Sequence, residues 1–234
     1  MVADACHSLG GSYHGRPVGT LADLSVFSLH PVKHITTGEG GFISTDNLEL
    51  SHRMRVFRNH GITTDHHQRS EDGSWFYEMA DLGYNYRLTD FQCALGISQL
   101  QKLPAWIEKR QLIARRYNEV FHKLNTVMPL GLQHNISHAY HLYVIRLQLP
   151  MLDIDRKSFY LHLRQQGVGV NVHYIPVHLH RFYRKRFGTK PGLCPVAEAA
   201  YLEILSLPIF PGLTESEANQ VIDAVSSIAT DHAI

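Results

Sequence analysis

The sequence predicts a mixed α/β fold, and three observations support this prediction. Two β-prone runs, 26–29 and 41–45, lie close together in the first half of the chain. A helical period of apolar residues begins at Pro104 and continues to about Asn125. Beyond it, short strands alternate with helices, which is typical of a small α+β domain. A chain of 234 residues with 44% hydrophobic content fits one large or two small domains.

Local patterns predict the elements of the first half. Residues 1–22 are rich in turn formers and predict loops with short edge strands. The segment 47–58 predicts an amphipathic helix, whereas 59–80 lacks a clean period and predicts an exposed loop. Because Thr89 and Asp90 are good helix-starting residues, we expect a helix to follow them.

The second half predicts four further elements and a terminal helix. In chain order, these four are a strand at 142–147, a helix at 156–166, a strand at 168–173 and a helix at 195–205. Gly167 is expected to end the first of the two helices. Thr214 and Glu217 form a capping-box pattern, which predicts that the last helix begins there.

The charge balance gives no reason to expect a nucleic-acid partner. The formal net charge is +1, with 22 basic residues scattered among 21 acidic ones. The densest basic cluster, 181–186, is interpreted as a solvated helix face or a diphosphate contact.

Cysteine usage and hydropathy favour a soluble, cytoplasmic protein. Cys6, Cys93 and Cys194 are widely separated and form no CxxC pair, so we expect buried, reduced thiols. The N-terminus lacks a basic-then-apolar pattern, and no apolar run approaches the roughly 18 residues of a membrane helix. We therefore expect neither an export signal nor a membrane span.

The 17 histidines make metal binding worth weighing, but their spacing does not favour it. No HExxH motif is present, and no histidine pair is joined by a cysteine or carboxylate at zinc spacing. The closest groupings are His66 with His67, His138 with His141, and His178 with His180. We expect no metal site.

Two residues far apart in the chain could serve one cofactor. Lys33 lies between the run 26–29 and a glycine-rich segment, 38–41. Pyridoxal phosphate needs an amine for its aldehyde and a carboxylate that keeps its pyridine nitrogen protonated. Lys33 and Asp4 could supply these groups, and Ser28 with nearby backbone amides could hold the phosphate. Structural interpretations stay open, since a lysine can be a solvated surface residue, an Asp can cap a helix and a serine can end a strand.

Three motifs, 4–7, 27–33 with 38–41, and 82–90, together resemble the DegT-like sugar-nucleotide aminotransferases. This resemblance extends from the first of these segments to about Thr214. It implies the aspartate-aminotransferase fold, fold type I, with pyridoxal phosphate as cofactor. Members of the family carry a sizeable portion before the aspartate motif, so we expect this chain to be the C-terminal part of such an enzyme. The domains implied are a remnant of the large cofactor-binding domain, with an incomplete sheet, at 1–110, and a bridging helix with a small α+β domain at 111–234.

The resemblance also implies a role for each matching residue. Lys33 would hold the cofactor and act in catalysis, with Asp4 and Ser28 as cofactor ligands. His7 would touch the cofactor ring and its phenolic oxygen, or instead cap the following segment. Asn85 would reach across a homodimer interface to the partner's cofactor phosphate, or instead satisfy a turn.

The segments 30–40 and 173–178 are most similar to the pseudaminic-acid-pathway branch of the family. That branch aminates C4 of a UDP-linked 4-keto-6-deoxy-N-acetylhexosamine with nitrogen from glutamate, and His30 and Tyr174 would face the sugar nucleotide. Three alternatives stay open: an aminotransferase for another nucleotide keto-sugar, a non-catalytic fragment with exposed apolar surface, and a sugar dehydratase of the same fold. In the dehydratase the lysine is replaced by histidine, so Lys33 argues against it.

Overall fold

The computed structural model describes residues 1–64, 66–71 and 73–234, without the side chains of His66 and His67. The chain divides into two compact units. The first comprises Met1–Pro104 with Asn135–Ser137, and the second comprises Ala105–His134 with His138–Ile234. Both units contain strands and helices, in agreement with the predicted α/β fold class.

The first unit contains two small sheets. Its strands are β1 (Val2–Asp4), β2 (Ser12–Tyr13), β3 (Arg16–Pro17), β4 (Leu24–Ser28), β5 (Gly41–Ser44) and β7 (Ile136–Ser137). One sheet has the order β1-β4-β5, with β1 and β4 parallel and β5 antiparallel to β4. The other has the order β3-β2-β7. Phe27 is buried in β4 and stacks on Phe42 of β5, with 4.7 Å between the ring centroids. This aromatic contact stabilises the pairing of the two strands.

The described helices of the first unit are α1 (Leu48–Arg58), α2 (His66–Glu71) and α3 (Asp90–Leu100). The side chain of Asn47 caps α1, and a complete capping box of Thr89 with Gln92 starts α3, which confirms both predicted helices. The prediction of a structureless loop over 59–80 is wrong at α2, because a helix of six residues is too short to show a period.

The second unit is a three-stranded antiparallel sheet packed with helices. Its strands, in sheet order, are β6 (Val127–Pro129), β8 (Tyr143–Leu147) and β9 (Ile204–Leu207). Its helices are α4 (Leu103–Phe121), α5 (Arg156–Gln165), α6 (Arg181–Phe187), α7 (Pro195–Glu203) and α8 (Glu215–Asp231). Alternate residues of β8 are buried, which directs one face of the sheet into the core. The core cluster combines β8 and β9 with apolar side chains of α4, α5 and α8.

For the second half, three predictions are confirmed, one predicted strand is absent, and one predicted helix is present but two residues shorter than expected. The strand at β8, the helix at α5 ended by Gly167 with φ 80°, and the capping box of Thr214 are all present. No strand forms over 168–173, where one isolated bridge joins Asn171 to Ser206. The helix at 195–205 ends early, because Ile204 begins β9 and pairs with β8.

Two expectations about side chains also need comment. The cysteines are free, but Cys93 and Cys194 are exposed, so the expectation that all three are buried is wrong. Helix α3 buries none of its side chains, which explains the exposure of Cys93. The grouping of His66 with His67 lies outside the side chains that the structure describes. Among the described residues, no group of three or more histidine, cysteine or acidic side chains could hold a metal ion.

Within the described ranges, every helix is too short or too polar to cross a membrane.

Candidate active site

Asp4 and Ser28 lie at the same edge of the first sheet. Asp4 ends β1 and pairs in register with Val26 of the parallel strand β4, which ends two residues later at Ser28. The carboxyl ends of parallel strands meet at one edge of a sheet, where ligands commonly bind in α/β proteins. The parallel pairing therefore brings the carboxylate and the hydroxyl together, although 23 residues separate them in the chain.

The carboxylate of Asp4 is held in its charged form. The backbone N–H of Cys6 donates to Oδ1 of Asp4 at 3.1 Å. Hydrogen bonds from the side chain and backbone of Cys6 keep the pKa of Asp4 below its ordinary value of 3.8, and the charges of His7 and Lys33 act in the same direction. Asp4 is thus an exposed carboxylate that stays ionised at neutral pH.

Lys33 lies in a closed loop between β4 and β5. The N–H of Leu29 donates to the carbonyl of Gly40 at 2.8 Å, and this bond closes the base of the loop. At the tip, the N–H of Lys33 donates to the carbonyl of His30 at 3.0 Å and forms a tight turn. The lysine side chain is half-buried. The backbone on both sides of the amine is therefore fixed by hydrogen bonds.

Glycine is required where this loop meets β5. A Cβ on Gly41 would lie 2.7 Å from the carbonyl oxygen of Phe27, an atom of the neighbouring strand that cannot move aside. Gly40 has φ +141°, and a Cβ there would lie 2.7 Å from Cδ2 of Leu88. The glycines of the segment 38–41 thus allow the loop to return directly into the sheet.

The Lys33 ammonium interacts with the aspartate motif through its charge. After the hydrogen bonds from Cys6 and the charge of His7, it is a smaller cause of the lowered pKa of Asp4, and it opposes the rise in the pKa of Cys6 that burial causes. Across residues 1–64, 66–71 and 73–234, the amine itself has neither a hydrogen-bond acceptor nor an ion-pair partner. The structure therefore groups Asp4, His7, Ser28 and Lys33 in the first unit.

His30 lies at the same loop, beside Ser28 and beside Glu39, a group that the sequence interpretation did not include. Its N–H donates to Oγ of Ser28 at 3.3 Å, and its Nε2 is 3.9 Å from Oε1 of Glu39. Cys6, the donor to Asp4, was also missed. An aspartate that accepts from the residue two positions on is a common turn motif, so the spacing of Asp4 and Cys6 could have indicated it.

Asn85 lies in an extended segment that pairs with the end of α1. A bridge joins Asn85 to Asn59, and the N–H groups of Tyr84 and Tyr86 donate to the carbonyls of Phe57 and Arg58. The rings of Tyr84 and Tyr86 stack at 5.1 Å and contact Phe57. Side chains alternate along extended backbone, so Asn85 points away from these rings, and it is exposed.

Tyr174 lies in the second unit, and each unit is described by itself. Its side chain is 58% exposed, and its ring contacts that of His173 at 4.7 Å. Nδ1 of His173 is 2.9 Å from Oγ of Ser206 in β9, so the segment is attached to the sheet. Further along, Nε2 of His178 lies 2.7 Å from Oε1 of Glu198 in α7.

Comparison with known proteins identifies the family. The profile of the DegT/DnrJ/EryC1/StrS aminotransferase family matches residues 1–226. The chain is 41% identical over 233 residues to the uncharacterized protein MJ1066 of Methanocaldococcus jannaschii. This alignment covers 99% of the present chain and 60% of that protein. The chain is also 38% identical over 228 residues to a UDP-4-amino-4,6-dideoxy-N-acetyl-beta-L-altrosamine transaminase of Campylobacter jejuni. That alignment covers 97% of the present chain and 58% of the transaminase.

Solved structures agree with this match. The PMP form of the putative sugar aminotransferase Spr1654 from Streptococcus pneumoniae is 30% identical, with a TM-score of 0.89 over 98% of this chain and 59% of that one. Helicobacter pylori PseC, an aminotransferase involved in the biosynthesis of pseudoaminic acid, is 31% identical, with a TM-score of 0.84 over 98% and 59% of the two chains.

The PLP and PMP forms of Spr1654 indicate that pyridoxal phosphate is the cofactor of these enzymes. The chain spans about 60% of the length of the curated relatives that it matches. Since the family profile covers nearly the whole chain, this chain belongs to the DegT/DnrJ/EryC1/StrS aminotransferase family.

Proposed function

We propose that this chain is the catalytic-lysine part of a PLP-dependent aminotransferase that acts on nucleotide-linked keto-sugars. One observation carries the proposal. The parallel strands β1 and β4 are paired; the carboxylate of Asp4 ends the first, and the loop that follows the second carries the amine of Lys33. The amine and the carboxylate are the two groups that the chemistry of pyridoxal phosphate requires.

The residues present fit this cofactor. A protonated pyridine nitrogen needs an anionic partner at neutral pH, and Asp4 is held ionised by Cys6. A phosphate favours hydroxyl and N–H donors, and Ser28 offers its hydroxyl at the end of β4. When bound, pyridoxal phosphate supplies an electron-withdrawing ring that stabilises negative charge at the reacting carbon.

In the proposed mechanism, Lys33 performs two tasks. Its Nζ first supplies the primary amine that anchors the cofactor's aldehyde. When it does not hold the aldehyde, the same Nζ would act as the base and acid that moves a proton at the reacting carbon. The hydrogen-bonded loop supports both tasks, because it holds the lysine backbone in one place.

Three further residues complete the proposed cofactor site. His7 contacts the cofactor ring near its phenolic oxygen. Asn85 reaches the cofactor phosphate of a second copy, so the active enzyme is a homodimer. The exposure of the Asn85 side chain supports this role. The three free cysteines support a reducing compartment, and we place the enzyme in the cytoplasm.

The proposed substrate is a UDP-linked 4-keto-6-deoxy-N-acetylhexosamine of the altrosamine type, with glutamate as amino donor. The reaction would serve surface-glycan and pseudaminic acid biosynthesis. The Campylobacter jejuni transaminase and Helicobacter pylori PseC support this choice among keto-sugars. His30 and Tyr174 are proposed to contact the sugar nucleotide.

Two measurements test the proposal. The purified chain is mixed with pyridoxal phosphate, and the visible absorbance band of the lysine-bound cofactor is recorded. We expect the band in the wild type and in Lys102→Ala, an exposed lysine of the same unit, but not in Lys33→Ala. Amination of UDP-4-keto sugars by glutamate is then followed by mass spectrometry. A band of equal size in Lys33→Ala would overturn the assignment of the lysine.

A second candidate is a non-catalytic fragment that associates with other chains. Large apolar side chains are exposed in the first unit, including Leu48, Trp75 and Phe91, which are 86 to 90% exposed. This candidate is favoured if the wild-type chain takes up no pyridoxal phosphate and elutes as a large aggregate in size-exclusion chromatography.

A further inference from the structure

One face of α3 contacts the loop that carries Lys33. Gln92, Gly96 and Gln99 are spaced by four and three residues, which places them in one row along the helix. Each of them meets part of the segment 36–39, just beyond the lysine. The helix therefore meets the loop at three positions along one face rather than at one.

Gln99 accepts a hydrogen bond from the middle of the loop. The N–H of Thr36 donates to Oε1 of Gln99 at 3.0 Å. The hydroxyl of Thr36 donates to the carbonyl of Leu29 at 2.8 Å and accepts from the N–H of Gly38 at 2.9 Å. Thr36 thus links the base of the loop, the glycine turn and the helix, three residues after the amine.

Gln92 holds the far end of the loop. Its Nε2 donates to the carbonyl of Glu39 at 2.9 Å. Its Oε1 accepts from the N–H and the hydroxyl of Thr89, which start the helix. Both the oxygen and the nitrogen of the Gln92 amide therefore form hydrogen bonds. Because the carbonyl of Glu39 can only accept and the N–H of Thr89 can only donate, the amide fits in this orientation alone.

Gly96 lets the helix approach the loop between these two contacts. A Cβ at Gly96 would lie 3.0 Å from Cγ2 of Thr37, closer than side chains normally pack. Helix α3 buries none of its side chains. Polar contacts from this face therefore attach the backbone of 36–39 to the helix, next to Ile35, whose apolar side chain is buried.

We infer that Gln92 and Gln99 are positioning residues for Lys33, acting through the backbone of 36–39. This inference rests on the proposed function, in which Lys33 needs a defined position to move a proton. The two glutamines contact the loop backbone in opposite ways, because Gln99 accepts a hydrogen bond from it and Gln92 donates one to it. The same glutamine-to-glutamate change must therefore act differently at the two sites.

The test uses four variants of the full chain. Gln99→Glu keeps an acceptor oxygen for Thr36, whereas Gln99→Leu removes it. Gln92→Glu keeps the acceptor for Thr89 but replaces the donor to the carbonyl of Glu39 by an anion. Gln101→Leu, at an exposed position at the end of the same helix, is the matched control. Hydrogen exchange of the segment 29–41 and the melting temperature are measured without pyridoxal phosphate, and the rate at which Lys33 reacts with pyridoxal phosphate is measured separately.

We expect exchange of the segment 29–41 to rise about fivefold in Gln99→Leu and Gln92→Glu, as the loss of one hydrogen bond predicts. Gln99→Glu and Gln101→Leu should match the wild type, and the rate of Lys33 modification should fall in the two variants that loosen the loop. Equal exchange in Gln99→Glu and Gln99→Leu, or a change in melting temperature without a change in exchange, would overturn the inference. Failure of the wild type to react with pyridoxal phosphate would instead count against the proposed function, because the exchange pattern does not depend on the cofactor.

Discussion

The backbone N–H of Cys6 donates to the carboxylate of Asp4 at 3.1 Å, two residues after the carboxylate itself. Together with the side chain of Cys6, this bond lowers the pKa of Asp4 below its ordinary value of 3.8, and Asp4 lies at the edge where β1 and β4 end. An anion fixed in this way can pair with a cationic ring nitrogen without first losing a proton. Among the proposed cofactor ligands, Asp4 is therefore the one whose replacement should be most informative.

Asp4→Asn should weaken the binding of pyridoxal phosphate about 10- to 100-fold, because a hydrogen bond to a charged group contributes about 1.5 to 3 kcal/mol. The dissociation constant is measured by titrating the visible absorbance band. Asp46→Asn, at an exposed position just after β5, is the matched control and should bind as the wild type does. Equal binding by both variants would remove Asp4 from the site.

Gly41→Ala should destabilise the strand pair that carries the lysine loop. The added Cβ would lie 2.7 Å from the carbonyl oxygen of Phe27, so the backbone must shift, at a cost of about 1 to 3 kcal/mol in unfolding free energy. Urea denaturation measures the change. Gly131→Ala serves as the control, since open space surrounds that position. Equal unfolding free energies of the two variants would contradict the close approach of β4 and β5 at Gly41.

Phe159→Ala should cost about 3 to 5 kcal/mol of unfolding free energy, because its side chain is fully buried in the core of the second unit. Leu161→Ala lies on the same helix but at a 46% exposed position, and should cost much less. Chemical denaturation of the two variants compares the faces of α5. A larger effect at Leu161 would contradict the orientation of this helix.

Glu198 should make the second unit sensitive to acid. The N–H of Gly192 and the ring of His178 hold the pKa of Glu198 below its ordinary value of 4.5. A lowered folded-state pKa stabilises the protein above pH 4.5, and this stabilisation is lost as the pH falls through the folded-state value. The difference in unfolding free energy between the wild type and Glu198→Gln should shrink in that range. Glu119→Gln, an exposed control on α4, should show no such trend.

Local signals in the sequence predicted those features whose partners lie within a few residues. The helix-starting residues Thr89 and Asp90 and the capping-box pattern at Thr214 are local signals, and both helices begin where these signals indicate. The start of β9 at Ile204 was not predictable in this way, because only its pairing with β8 ends the preceding helix. Competition between a helix and a strand was decided there by tertiary contacts.

The same distinction holds for the candidate site. Residue types suggested Asp4 and Lys33, since the chemistry of the cofactor asks for a carboxylate and an amine. Their grouping depends on the parallel register of β1 and β4, which no spacing in the chain specifies. The contact of Gln99 with Thr36 joins residues 63 positions apart and has no local signature at all.

The row of contacts along α3 has a consequence for how such enzymes can be recombined. Side chains of the helix bind the backbone of the lysine loop through one accepted and one donated hydrogen bond. We therefore expect the helix and the loop to work only when both come from the same protein. Chimeras that exchange 29–41 together with 89–100 between relatives should keep a reactive amine, whereas exchange of either segment alone should misplace it.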